Sequence, residues 1–218
     1  MNRALPLALL AVAVVGSSGC QSAYYKTMES FGVHKRDLLV GRVESARDAQ
    51  SDAAEQFDSA LEQFQSVLGS SGGELQDKYE TLKAALDRSE SRAAAVGDRV
   101  DAVEQVADAL FDEWEDELDQ YTNRDLRRSS AKQLEGTRSE YERLMKAMRR
   151  AESKIEPVLT VFRDQVLFLK HNLNAQAVAS LRSELGTVES EVESLVREMK
   201  RSMAEADAFI SKMGAGGA

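Results

Sequence analysis

From Leu75 to Tyr121 apolar side chains recur in alternating steps of four and three: Leu75, Tyr79, Leu82, Leu86, Ser89, Ala93, Val96, Val100, Val103, Ala107, Leu110, Trp114, Glu117, Tyr121. All but Ser89 and Glu117 are apolar or aromatic. A repeat that averages 3.5 residues keeps one face of a helix against a partner helix, so this pattern predicts helix packed on helix. Three more seams follow the same rule. One runs Leu39, Val43, Ala46, Gln50, Ala53, Phe57, Ala60, Phe64, Val67; another runs Leu134, Thr137, Tyr141, Leu144, Met148, Ala151, Ile155, Val158, Phe162. The last runs from Val178 through Leu181, Leu185, Val188, Val192, Leu195 and Met199 to Met213. Nowhere does an alternating β-branched pattern suggest a strand.

The breaks between seams set the helix bounds. Gly69-Ser70-Ser71-Gly72-Gly73 is a turn, and Ser71 with Glu74 has capping-box spacing. Thr122-Asn123 and Asn172 to Asn174 are the other breaks, with Asn174 a suitable N-cap. Helices are expected over 35–68, 74–121, 124–171 and 175–212, within a bundle domain of 34–213 and ahead of a disordered tail at 214–218. Short connections make neighbours antiparallel, which gives an elongated all-α four-helix bundle, up-down-up-down. Pro157 lacks an N–H and clashes with the Ser153 carbonyl, so a kink is expected near it. The surrounding segment, IEPVLTVFRDQVLFL, is apolar on more than one face. Full burial among the other helices accounts for that, and so does a docking surface for a partner or a site for an apolar ligand.

The N-terminus carries an address. A basic start with Arg3 precedes an apolar run over 4–16, which falls short of the ~20 residues of a membrane-spanning helix and suits a secretory signal. Ser18-Gly19-Cys20 then resembles the bacterial lipobox, in which signal peptidase cuts before the cysteine; a leucine is usual where Ser17 stands. The resemblance implies a signal peptide over 1–19 and three acyl chains on Cys20, the chain's sole cysteine. A lone thiol in an oxidising compartment asks for such an explanation. Gln21 in place of aspartate implies the outer membrane, facing the periplasm. Residues 20–33 form an anchor segment in which Tyr24, Tyr25, Met28 and Phe31 have the spacing of a short amphipathic helix. That segment is expected to cover the protruding 112–132 tip.

The tip reads FDEWEDELDQYTNRDLRRSSAK. Its acids end one helix and its arginines begin the next, against both helix dipoles. Cross-hairpin pairing offsets this. Alternatively Arg124, Arg127 and Arg128, with Lys35 and Arg36, contact lipid phosphates or a partner near the anchor. At the far turn His171, Asn172 and Asn174 are either caps or a recognition tip. The net charge of −9 argues against nucleic acid as a partner. His34 and His171 fall at opposite ends of the expected bundle and form no metal site. No phosphate loop or nucleophile elbow is present. The chain reads as a non-enzyme without cofactors, with the membrane and a protein partner or a second copy as its contacts.

Three blocks, CQSAYYKTMESFGVHKRD, LFDEWEDELDQYTN and EPVLTVFRDQVLFLKHNLNAQA, resemble the bacterial envelope family known as domain of unknown function 2959. The resemblance spans the chain beyond the signal. It implies a helical lipoprotein of Gram-negative bacteria with no assigned activity; the four seams, the anchor and the missing catalytic set point separately to a structural or interaction role.

Overall fold

In a computed structural model, residues 35–69, 74–172 and 174–215 are described. The signal peptide, Cys20 and the short helix expected within 20–33 lie outside them. Two compact units divide the chain after His34, and only the second contains described residues. Its described residues form helices and turns: α1 (Lys35–Gly69), α2 (Leu75–Leu118), α3 (Arg124–Ser153), α4 (Ile155–His171) and α5 (Ala175–Ala215).

The seams become the buried faces. On α1, Leu39, Val43, Ala46, Ala53, Phe57, Ala60 and Phe64 are fully buried, and Leu68 rather than Val67 closes the row. On α2 burial runs from Leu82 to Leu110 with Ala93 partly open, and the seam emerges at Trp114, Glu117 and Tyr121. Leu134, Tyr141, Leu144 and Met148 continue it on α3, and Val188, Val192, Leu195 and Met199 on α5. Burial of these stripes, at ~25 cal/mol per Å² of apolar surface, holds the helices together.

α1 packs on α2 and α5; α3 packs on α2 and α5, and so does α4. Polar pairs mark the register. Lys35 meets Glu113 at 2.7 Å and Asp52 meets Arg92 at 2.9 Å between α1 and α2. Arg138 meets Glu115 at 2.7 Å and Arg163 meets Glu90 at 2.6 Å where α3 and α4 lie on α2. Arg47 meets Asp207 at 2.9 Å, and Gln65 donates to Glu189 at 2.6 Å, between α1 and α5. In each pairing, rising numbers on one helix meet falling numbers on the next. Most of these ion pairs are open to solvent and contribute little stability each, so they report register more than strength.

The single helix expected over 124–171 is two. Lys154 leaves the helical ladder, its N–H turning back to the Ala151 carbonyl at 3.1 Å. Pro157 then falls in the first turn of α4, where its missing N–H has no intrahelical partner to lose. The interruption thus comes three residues before the proline. Helix ends differ from expectation elsewhere too. α2 stops at Leu118, where the Gln120 N–H bonds the Glu117 carbonyl at 3.0 Å, instead of reaching 121. Glu74 is itself the N-cap of α2, with an extended backbone and no side-chain cap bond, so it does not take the third position of a capping box. Asn123 caps α3 by accepting from the N–H groups of Asp125 and Leu126 at 2.9 and 3.2 Å. Asn174 caps α5 as expected, accepting from Ala177 at 2.9 Å. Gly214 and Ala215, expected in a disordered tail, belong to α5.

Candidate functional site

The end of α2 opens onto a cavity of about 610 Å³ shared by four helices. Leu110 and Trp114 come from α2, Gly136 and Thr137 from α3, and Phe209 and Met213 from α5. The reason it stays open is local. Beyond Leu110 the α2 seam passes from aliphatic side chains to Trp114 and Glu117, while α3 offers Gly136 and Thr137 at the same level. A Cβ built on Gly136 would meet nothing within 4 Å. The Trp114 indole is half-buried and donates from Nε1 to Ser130 Oγ at 2.8 Å, which fixes the ring.

Charges rim this cavity: Arg36, Lys212, Glu113, Glu117 and Glu140. Most are matched within the fold. Lys35 pairs with Glu113, Lys212 with Glu140 at 2.7 Å, and the Arg36 guanidinium donates to the Met213 carbonyl near the end of α5. Glu117 is exposed and has no ion pair among the described residues. It stands in the last turn of α2, which contains no basic residue. Deeper between α2 and α3, burial pushes the Tyr141 phenol well above its usual range, and Asp108 and Glu104 add to the effect. Asp108 is itself raised by burial and by its acidic neighbours Glu104 and Asp112. Arg149 is held protonated against desolvation by Glu152, Asp101 and Glu104, the first at 2.9 Å and the second at 2.7 Å.

The five basic residues expected to meet lipid or a partner divide into two groups. Lys35 and Arg36 are engaged at the cavity rim. Arg124, Arg127 and Arg128 lie exposed in the first turns of α3. Arg127 pairs across the turn with Asp119 at 2.5 Å, and Arg128 reaches Asp125 at 3.5 Å. Cross-hairpin pairing therefore accounts for part of the tip. At the far turn both asparagines act as caps: the Asn172 side chain donates to the Phe168 carbonyl at 2.9 Å, and Asn174 starts α5. His171 ends α4, exposed.

Next to the α3–α4 break the core is filled. Ile155, Val158, Leu159 and Phe162 are buried, and Phe162 stacks on Phe64 of α1 with centroids 4.6 Å apart. A shallower cavity of about 430 Å³ lies outside it, between Gly97 and Glu152, bordered by Arg163. Two large side chains of α4, Leu167 and Phe168, remain 54% and 41% exposed. The Trp114 cavity was not foreseen from sequence. Its traces there are the chain's one tryptophan on a seam that turns acidic, and a glycine on the next helix.

Among the described residues no group of His, Cys, Asp or Glu could hold a metal ion, and no helix is long and apolar enough to cross a membrane. No curated protein and no solved structure matches the chain. Residues 24–213 match the family model described as Protein of unknown function (DUF2959), and the chain belongs to that family.

Proposed function

We propose that the chain is a lipid-anchored interaction protein of the bacterial envelope: an elongated up-down-up-down four-helix bundle, tethered through acylated Cys20 to the outer membrane and facing the periplasm. It acts as a scaffold or adaptor, and it performs no catalysis. The observation that carries the interaction role is the outward face of α4. Phe162, Val166 and Leu169 point into the core, and Leu167 and Phe168 of the same helix stay about half exposed beside Lys170 and His171. An exposed apolar pair rimmed by polar groups suits contact with another protein. Opposed numbering between α1 and α2, between α2 and the α3–α4 segment, and between α1 and α5 supports the bundle topology, and the lipobox-like Ser18-Gly19-Cys20 supports the tether.

A photo-crosslinking residue at position 168 in intact cells tests this role. Adducts heavier than the monomer are expected at 168 and not at Glu184, an exposed position on the charged side of α5. Absence of any adduct at 168 across growth conditions contradicts it. A second reading, a module that binds an apolar ligand, is favoured by the Trp114 cavity, whose volume falls in the range of small-molecule sites. Its location is the end of α2, away from the filled core beside Pro157.

A further inference from the structure

We propose that the Trp114 cavity takes a single-chain amphiphile whose head is an ammonium group, with the chain against Leu110, Phe209 and Met213 and the head between the Trp114 ring and the Glu117 carboxylate. The inference rests on the ligand-module reading and specifies its ligand. Three observations converge on the charge of the head. The cations of the rim are already engaged, Lys212 by Glu140 and Arg36 by the Met213 carbonyl. Glu117 has no ion pair among the described residues, although its place in the last turn of α2 is electrostatically unfavourable for an acid. The same helix end carries its own partial negative charge, so a cation there is favoured twice. An indole face beside a carboxylate attracts an ammonium group through the ring quadrupole as well as through charge. An anionic head at this position would meet the Glu117 carboxylate, which no described cation pairs, and the C-terminal end of α2.

Room for the chain comes from α3. Gly136 faces open space, and Thr137 beside it brings only a small side chain to the seam. The half-buried Trp114, fixed to Ser130, forms one wall and leaves the space beside it unfilled.

Trp114 is the chain's sole tryptophan, so its emission reports on this site alone. The full-length chain is titrated with dodecyltrimethylammonium, with dodecyl sulfate, and with a neutral ether of the same chain length. All three are kept below their micelle concentrations, where far-UV ellipticity is unchanged. The expected result is a saturable shift in Trp114 emission with the ammonium compound at least about tenfold tighter than with the sulfate. Glu117→Gln, an exposed and isosteric change, weakens the ammonium compound about fivefold and leaves the neutral one unchanged. Gly136→Leu fills the cavity without strain in a helix interior and removes the response to both. Equal binding of all three heads overturns the ammonium assignment and leaves the ligand module standing. A response that survives Gly136→Leu overturns the assignment to this cavity. No saturable response to any of the three overturns both.

Discussion

Phe162→Ala lowers the free energy of unfolding by about 3–5 kcal/mol, the range expected for truncating a fully buried aromatic. Phe162 is fully buried, stacks on Phe64 at 4.6 Å and lies tilted against Phe57 at 6.3 Å. It joins α4 to α1, two helices separated in sequence by the whole of α2 and α3. Truncation removes the transfer energy of the ring and leaves a void between two other phenylalanines that cannot both close over it. For a chain of this length about 1 kcal/mol moves the melting temperature by ~2–4 °C, so a fall of roughly 10 °C is expected in a far-UV thermal melt. Leu167→Ala and Phe168→Ala on the outer face of the same helix shift it by less than about 4 °C, because about half of each side chain is already in solvent. Equal effects from the inner and outer substitutions contradict the assigned faces of α4.

Gln50→Leu acts in the opposite direction and stabilises by about 1–3 kcal/mol. Gln50 occupies a seam position of α1, is fully buried, and neither its amide oxygen nor its nitrogen has a hydrogen-bond partner. Ser202 of α5 is equally buried, with its hydroxyl unmatched. By the register of the Arg47–Asp207 and Gln65–Glu189 pairs, the two residues fall within about one helical turn of each other. A desolvated amide without partners costs more than an apolar side chain of similar volume, so its replacement is favourable. Chemical denaturation measures the gain as a higher midpoint with an unchanged slope. A loss of stability means that the amide is satisfied in solution. Polar seam residues of this kind also fix register in helical assemblies, which gives the residue a reason to be there despite its cost.

Helix existence was legible because it rests on periodicity summed over many residues. Leu39 to Phe64 and Val188 to Met199 are buried where the steps of four and three put them. Points decided by one or two residues were less so. Pro157 announced an interruption, but its site depends on which preceding residue yields, and Lys154 yields by turning its N–H back to Ala151. Ser71 and Glu74 have the spacing of a capping box, yet spacing alone does not reveal that Glu74 is the cap. The acids of residues 112–119 drew attention as a charged tip. Two of them, Glu113 and Glu117, border a cavity, and that depends on Trp114, Gly136 and Phe209 meeting from three helices. No local pattern joins residues so far apart in sequence. Asn172 and Asn174 show the bonds that the capping reading requires, to Phe168 and from Ala177.

The tether is the claim on which the envelope role depends, and the mass of the native polypeptide purified from its own membranes tests it most directly. The account predicts a chain that begins at Cys20, heavier than its sequence by a diacylglycerol on the sulfur and one further acyl group on the new amine. A chain that begins at Met1, or one that starts later with a free thiol at Cys20, contradicts it.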